Sequence, residues 1–185
     1  MTLEEMLKDL PQGCDRGAKK DSKGNTMYWI GYKLHLDTID GGIPVSAIVT
    51  SASVHDSQVA IPLAALTARK ISHCYELMDA AYDMTLIVEY VKSLGRIPII
   101  DKNPRGDKKL QVAINEENRA RKTLNWVPAE IKRYNERSTA ERANSRLKDE
   151  FGVNKVRVRG FSKVTCHLMF AVLVLAADQL MKLVT

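Results

Sequence analysis

"CYELMDAAYDMTLIVEYVKSLGRIPII", residues 74–100, decides the fold. Two short apolar runs, "YELM" and "IPII", bracket a segment whose pattern predicts a helix from about residue 84 to 94, ended by Gly95. Strand, helix, strand is a βαβ pattern, and a helical crossover of this length joins parallel strands. Asp79 closes the first of those strands. In open α/β sheets, ligands gather beyond the carboxyl ends of the strands. An Asp in that place, held behind Leu77 and Met78, can project into a cleft. The same position suits a plainer role, with Asp79 or Asp83 capping the next helix, and position alone leaves both readings open.

Upstream, "MYWIGYKLHLDTI" alternates around aromatic and aliphatic residues, "DGG" supplies turn chemistry and "IPVSAIVTSAS" is β-branched. This predicts a hairpin with strands near 27–37 and 43–52. "VHDS" (54–57) follows, and Asp56 or Ser57 can cap a helix over about 58–69. A His–Asp cluster there more often serves as a cap with a hydrogen-bonded histidine than as a metal or substrate ligand. His35, on a strand, and His73, in a loop, have no partner at metal-ligand spacing. Residues 1–26 read as a helix at 3–9, ended by Pro11, and a flexible connector, "QGCDRGAKKDSKGN". Downstream, residues 102–133 are polar with weak helical character around 108–122, and two helices, near 134–150 and 162–184, are joined by "KVRVRG". The whole order predicts an α/β domain over 27–185, a mixed sheet flanked by helices.

Charge narrows the partner. The 185 residues carry a net charge of +6 with a pI near 9.2. Between Lys102 and Lys163, 17 Lys/Arg stand against 8 Asp/Glu, a net of +9, so the remainder is −3. A basic half of this size favours nucleic acid. Cys14, Cys74 and Cys166 are widely spaced, giving no zinc signature and no disulfide framework, which suits a reducing cytosol. Cys166 sits in an apolar run and reads as a buried small hydrophobe. That run, Val164 to Ala177, contains His167 and is shorter than the roughly 20 residues needed to cross a bilayer. It predicts a buried helix in a soluble, cytoplasmic protein without a membrane partner. With no Walker loop, GxGxxG or HExxH, nucleotide hydrolysis and zinc proteolysis have no support.

The basic half contains "RYNERSTAERANSRLKDEFG", residues 133–152. On one continuous helix, Tyr134, Arg137, Glu141 and Lys148 fall within roughly 60° of each other. A charged stripe of this kind is either solvated or lines a site. A competing reading exists, because Ser138 and Glu141 have the S-x-x-E spacing of a capping box. A helix starting at Ser138 would leave Tyr134 and Arg137 outside it.

Taken together, "LMDAAYD" and "YNERSTAERANSRLK" resemble the second and third acidic blocks of insertion-sequence DDE transposases. The tyrosine-x2-arginine-x3-glutamate-x6-lysine signature falls on Tyr134, Arg137, Glu141 and Lys148. "GYKLHLDTIDGGIPVSAIVTSASVHDS" resembles the hairpin and helix start before the second Asp, and "CHLMFAVLVLAADQLM" the closing helix. The resemblance spans about residues 27–184. It implies an RNase H-like fold acting on double-stranded DNA, both transposon ends and target, with three carboxylates holding two divalent metals, Mg²⁺ or Mn²⁺. It makes Asp79 and Glu141 catalytic metal ligands and Tyr134, Arg137 and Lys148 DNA-phosphate contacts, and it allows for self-association.

One ligand has no counterpart. The family's first catalytic Asp stands on a strand before the hairpin. Residues 1–25 offer no apolar run for a central strand, Asp15 and Asp21 fall in the connector, and Asp37 and Asp40 flank the turn. The expectation is therefore a catalytic domain lacking its first strand, a truncated transposase impaired on its own. The alternatives are a non-catalytic DNA-binding regulator of transposition and an RNase H-like nuclease without strand transfer.

Overall fold

In chain order the elements of the computed structural model, which describes residues 1–20 and 23–184, are α1 (Leu3–Asp9), β1 (Asp15–Lys20), β2 (Thr26–Ile39), β3 (Ile43–Ser51), α2 (Asp56–Ala68), β4 (Tyr75–Met78), α3 (Thr85–Ser93), β5 (Ile97–Ile100), α4 (Lys108–Thr123), α5 (Ala129–Asn135), α6 (Ser138–Asp149) and α7 (Phe161–Val184). They form two compact units. The first comprises Met1–Ser72 with Ser138–Thr185, and the second is His73–Arg137.

In the first unit the predicted hairpin is present. β2 and β3 pair antiparallel from Tyr32↔Ser51 to Ile39↔Ile43, with a bulge at Asp37/Thr38. The 3-10 turn Asp40–Gly42 joins them, with Gly41 and Gly42 at φ of 77° and 71°. Gly42 also allows a close approach to α6, since a Cβ there would stand 3.4 Å from the Thr139 carbonyl oxygen. Behind the hairpin, Ala143 and Leu147 of α6 pack with Ala171 and Leu175 of α7, while Val164 and Leu168 of α7 pack with Val49 of β3. Val59 of α2 joins Ile48 and Val54 in a third cluster. The period-2 pattern of β3 and the helical repeats of α6 and α7 thus meet in one apolar core.

The stretch expected to be a connector contains β1, paired antiparallel with the first part of β2 from Asp15↔Gly31 to Lys20↔Thr26. Its stability comes from cross-strand contacts instead of an apolar face. The Trp29 ring lies across Gly17, where a Cβ would fall 2.4 Å from the indole. The Arg16 guanidinium stacks 4.0 Å over the Tyr28 ring, and Asp15 accepts hydrogen bonds from the Ser53 amide (2.9 Å) and hydroxyl. Asp21 lies outside the described residues. β1 flanks β2 along 26–31, whereas β3 flanks it along 32–39.

The second unit holds the βαβ element. β4 and β5 run parallel, in register from Tyr75↔Ile97 to Met78↔Ile100, with α3 as the crossover. Its apolar core is small, with Met78, Ile87 and Val91 buried beside Glu76 and Arg96. The Arg96 guanidinium donates to Glu76 Oε2 at 3.1 Å, and His73 Nε2 lies 2.7 Å from the same oxygen. α4 and α5 bury no residue completely.

Three further expectations need correction. Instead of one mixed sheet, the described strands form a three-stranded antiparallel sheet in the first unit and a two-stranded parallel one in the second. Along 32–39, the edge of β2 away from β3 has no partner strand among the described residues, so nothing there continues the first sheet. The single helix expected near 134–150 is interrupted: α5 ends at Asn135, Glu136 and Arg137 form a turn, and α6 starts at Ser138. Ser138 and Thr139 are residues whose hydroxyls compete with helical backbone bonds, which favours a helix start over a helix interior. Cys166 is exposed, not buried, because it lies on the side of α7 facing away from β3.

Candidate active-site residues

Asp79 is the first residue past β4, in extended conformation, and caps the 3-10 turn Ala80–Tyr82. Its Oδ1 accepts from the Ala81 amide at 2.8 Å. Its Oδ2 has no hydrogen-bond donor among the described residues. The two sequence readings of Asp79 are therefore compatible, since the cap occupies one oxygen and fixes the aim of the other. Asp83, the alternative cap, has a different task. It accepts from the Asn103 amide at 2.9 Å, while Asn103 donates to the Ala80 carbonyl at 3.1 Å and Arg105 to the Asp83 carbonyl. These bonds stitch the loop after β4 to the loop after β5.

Asp101, which the sequence reading did not single out, occupies the matching position past β5. The parallel register ends at Met78↔Ile100, so Asp79 and Asp101 are the next residues on neighbouring strands. The available signal was an acidic residue directly after "IPII". Tyr134, on α5, is tied to Asp101. Burial raises the Tyr134 hydroxyl above its ordinary pKa, and a hydrogen bond and charge from Asp101 add to that rise. The Arg137 guanidinium lies 5.4 Å from the Tyr134 ring centre, and Arg133 stacks 4.2 Å over Tyr75, fastening α5 to β4. Tyr134 and Arg137 thus share the second unit with Asp79.

Glu141 and Lys148 belong to the first unit, both exposed on α6. Seven residues apart, they share a helix face, roughly opposite the buried Ala143 and Leu147. The four-residue stripe is consequently two pairs, one in each unit. Among the described residues, no three His, Cys, Asp or Glu side chains are grouped so as to hold a metal ion. Asp79 and Glu141 each offer hard oxygen donors of the kind Mg²⁺ prefers.

The other acids near the hairpin are engaged. Asp15 is held by Ser53, whose hydroxyl hydrogen bond keeps its carboxyl below the usual range, and Asp37 accepts from the Thr67 hydroxyl. At "VHDS" the histidine is the cap: His55 Nδ1 accepts from the Ser57 amide at 3.3 Å, and the Gln58 side chain accepts from the His55 amide at 2.9 Å. Asp56, one residue on, pairs with Lys33 (3.1 Å) and with the buried His35 Nδ1 (3.0 Å). Burial alone would raise the Asp56 pKa, but His35 and Lys33 outweigh it and bring it to about 2. The Thr50 hydroxyl proton goes to the Ser51 carbonyl, so His35 Nε2, 2.9 Å away, donates to Thr50.

A protein-family model described as "Transposase DDE domain" matches residues 10–176. The chain belongs to that family of DDE transposases. No curated protein and no solved structure matches it.

Proposed function

We propose that the chain is the partial, RNase H-like catalytic domain of an insertion-sequence transposase, over about residues 27–185, cleaving transposon ends and joining them to target DNA. The observation carrying this reading is Asp79, placed just past a parallel strand with one oxygen fixed and the other unclaimed. By resemblance to the family, Asp79 and Glu141 are catalytic carboxylates that would hold Mg²⁺ or Mn²⁺. When bound, such ions activate the attacking hydroxyl and stabilise the leaving oxygen. Tyr134, Arg137 and Lys148 contact DNA phosphates, a role that positions the duplex without reading its sequence.

A third carboxylate is the missing part. Asp15 gives both oxygens to Ser53 and Asp37 gives one to Thr67, which supports the reading of this chain as impaired on its own. The edge of β2 along 32–39 that lies away from β3, without a partner strand among the described residues, supports it too, since an open strand edge accepts a further strand through main-chain hydrogen bonds. The test is to fuse an upstream apolar strand bearing an Asp in frame and measure Mg²⁺- or Mn²⁺-dependent nicking of transposon-end DNA. Nicking that rises on fusion and disappears with Asp79→Asn or Glu141→Gln, while DNA binding persists, is the expected result. Efficient cleavage by the unfused chain would overturn the impairment. DNA binding without cleavage in either form would favour a regulator of transposition, and cleavage without joining a nuclease.

A further inference from the structure

Within the second unit, α5 packs against both parallel strands and is held to them at two successive residues. Arg133 stacks 4.2 Å over the Tyr75 ring of β4. The Tyr134 hydroxyl bonds the carboxylate of Asp101, the first residue past β5. Side chains one residue apart leave a helix at about 100° to each other. The two links therefore fix α5 about its own axis as well as in place.

The hydrogen bonds have a defined sense. A phenol has one proton to give, and a carboxylate only accepts, so Tyr134 donates to Asp101 and keeps its oxygen lone pairs for another donor. Arg137 is that donor. Its guanidinium bonds the Tyr134 side chain and lies 5.4 Å from the ring centre. Burial, reinforced by Asp101, holds the phenol above its ordinary pKa, so it remains a donor at neutral pH. Carboxylate, phenol and guanidinium form one chain from β5 to the turn after α5, and hydrogen bonds to charged groups are the strong ones.

We propose that Asp101 is a positioning residue for DNA binding: through the Tyr134 hydroxyl it fixes the ring beside Arg137 and so aims the guanidinium at a phosphate. The inference rests on the reading of Tyr134 and Arg137 as phosphate contacts and adds a residue that touches no DNA itself. A planar guanidinium meets a phosphate through two parallel bonds, which reward a fixed orientation. The sign of the effect separates this role from that of a bystander. An acid close to DNA repels it, so deleting a bystander's charge tightens binding, whereas deleting a positioning acid weakens it.

Fluorescence anisotropy of the full chain with a labelled duplex of arbitrary sequence reads phosphate contacts, which carry no sequence information. Asp101→Ala should weaken binding by about threefold to tenfold, the value of one such bond, although it removes a negative charge. Asp101→Asn keeps a carbonyl acceptor for Tyr134 and should bind at least as tightly as the parent chain. Tyr134→Phe should also weaken binding, and Asp101→Ala combined with it should bind no more weakly than Tyr134→Phe alone, because both remove one link. Should Asp101→Ala fail to fold by circular dichroism, Asp101→Ser, one atom too short for the same bond, takes its place. Unchanged or tighter binding by the Ala or Ser variant would overturn the proposal, as would losses that simply add in the double variant. Arg137→Ala tells this failure from failure of the underlying reading. A salt slope that it leaves unchanged removes the phosphate contact and the proposal together, whereas a lowered slope beside an Asp101→Ala chain that binds like the parent overturns the proposal alone.

Discussion

The two units are held together by different chemistry. In the first, three helices and a hairpin bury Leu147, Leu175, Val59 and their neighbours, an apolar core that follows from sequence periodicity. In the second, a two-stranded sheet and one crossover helix enclose a few apolar residues around the Glu76–Arg96–His73 group, and the two following helices bury nothing completely. The difference teaches where substitutions will be felt. Candidate functional side chains in the second unit hang on polar links and short strands, so function there is separable from the apolar core that dominates the first.

The largest effect is expected from the ionic anchor. Glu76→Ala leaves the Arg96 guanidinium buried without its carboxylate, and breaking a buried pair in this way costs about 3–5 kcal/mol. Hydrogen exchange should show residues 73–101 losing protection. Unchanged protection would mean that Met78, Ile87 and Val91 suffice to hold the second unit.

Next comes the apolar core. Leu175 is completely buried, and Leu175→Ala should cost about 2–5 kcal/mol, with the spread set by how far α6 and β2 collapse on the cavity. Denaturant unfolding measures it. A loss below about 1 kcal/mol would place the first unit's stability elsewhere.

Acid should act on the first unit through Asp56. Its carboxyl is lowered from 3.8 to about 2, so the stability it contributes is present above 3.8 and is lost as pH falls toward 2. Because its side chain is 42% exposed, solvent screening reduces that contribution to about 1 kcal/mol. Asp56→Asn should flatten the acid limb of the stability curve by that amount, and an unaltered limb would assign the acid sensitivity to other carboxyls.

The smallest effects on stability belong to the stripe. Lys148→Ala should change it by less than about 0.5 kcal/mol. DNA affinity should nevertheless weaken, and the logarithmic salt slope should fall by about one unit for each phosphate contact removed. A variant that binds DNA with an unchanged salt slope would remove Lys148 from the DNA-contacting set.

Legibility in the sequence follows the same division. The hairpin, the βαβ element and the presence of α1 and α2 were readable because periodicity and turn chemistry are local signals, although the cap of α2 is His55 and not the Asp56 or Ser57 that the sequence suggested. β1 was not, because its partners, Trp29 for Gly17 and Ser53 for Asp15, come from elsewhere in the chain. The break before Ser138 was readable only as an alternative, since "YNER" is a fair helix former and nothing in it forbids continuation. Asp56 was visible as a helix start, but its pairing with His35 spans 21 positions and needs the β2–β3 register to bring the two together. Asp101 escaped notice because an acid after a short strand is a weak signal until its neighbour across the parallel register is known.

β1 closes one side of the first sheet, and its composition has a practical meaning. An outer strand offers unpaired backbone groups to any passing chain, and lysine is a common natural deterrent to such stacking. Lys19 and Lys20, exposed near the strand's end, with Arg16 three residues before them, put positive charge along that margin. The residues that made this segment look like a connector are those that keep neighbouring molecules from adding to it, a safeguard against fibrous aggregation written as poor strand propensity.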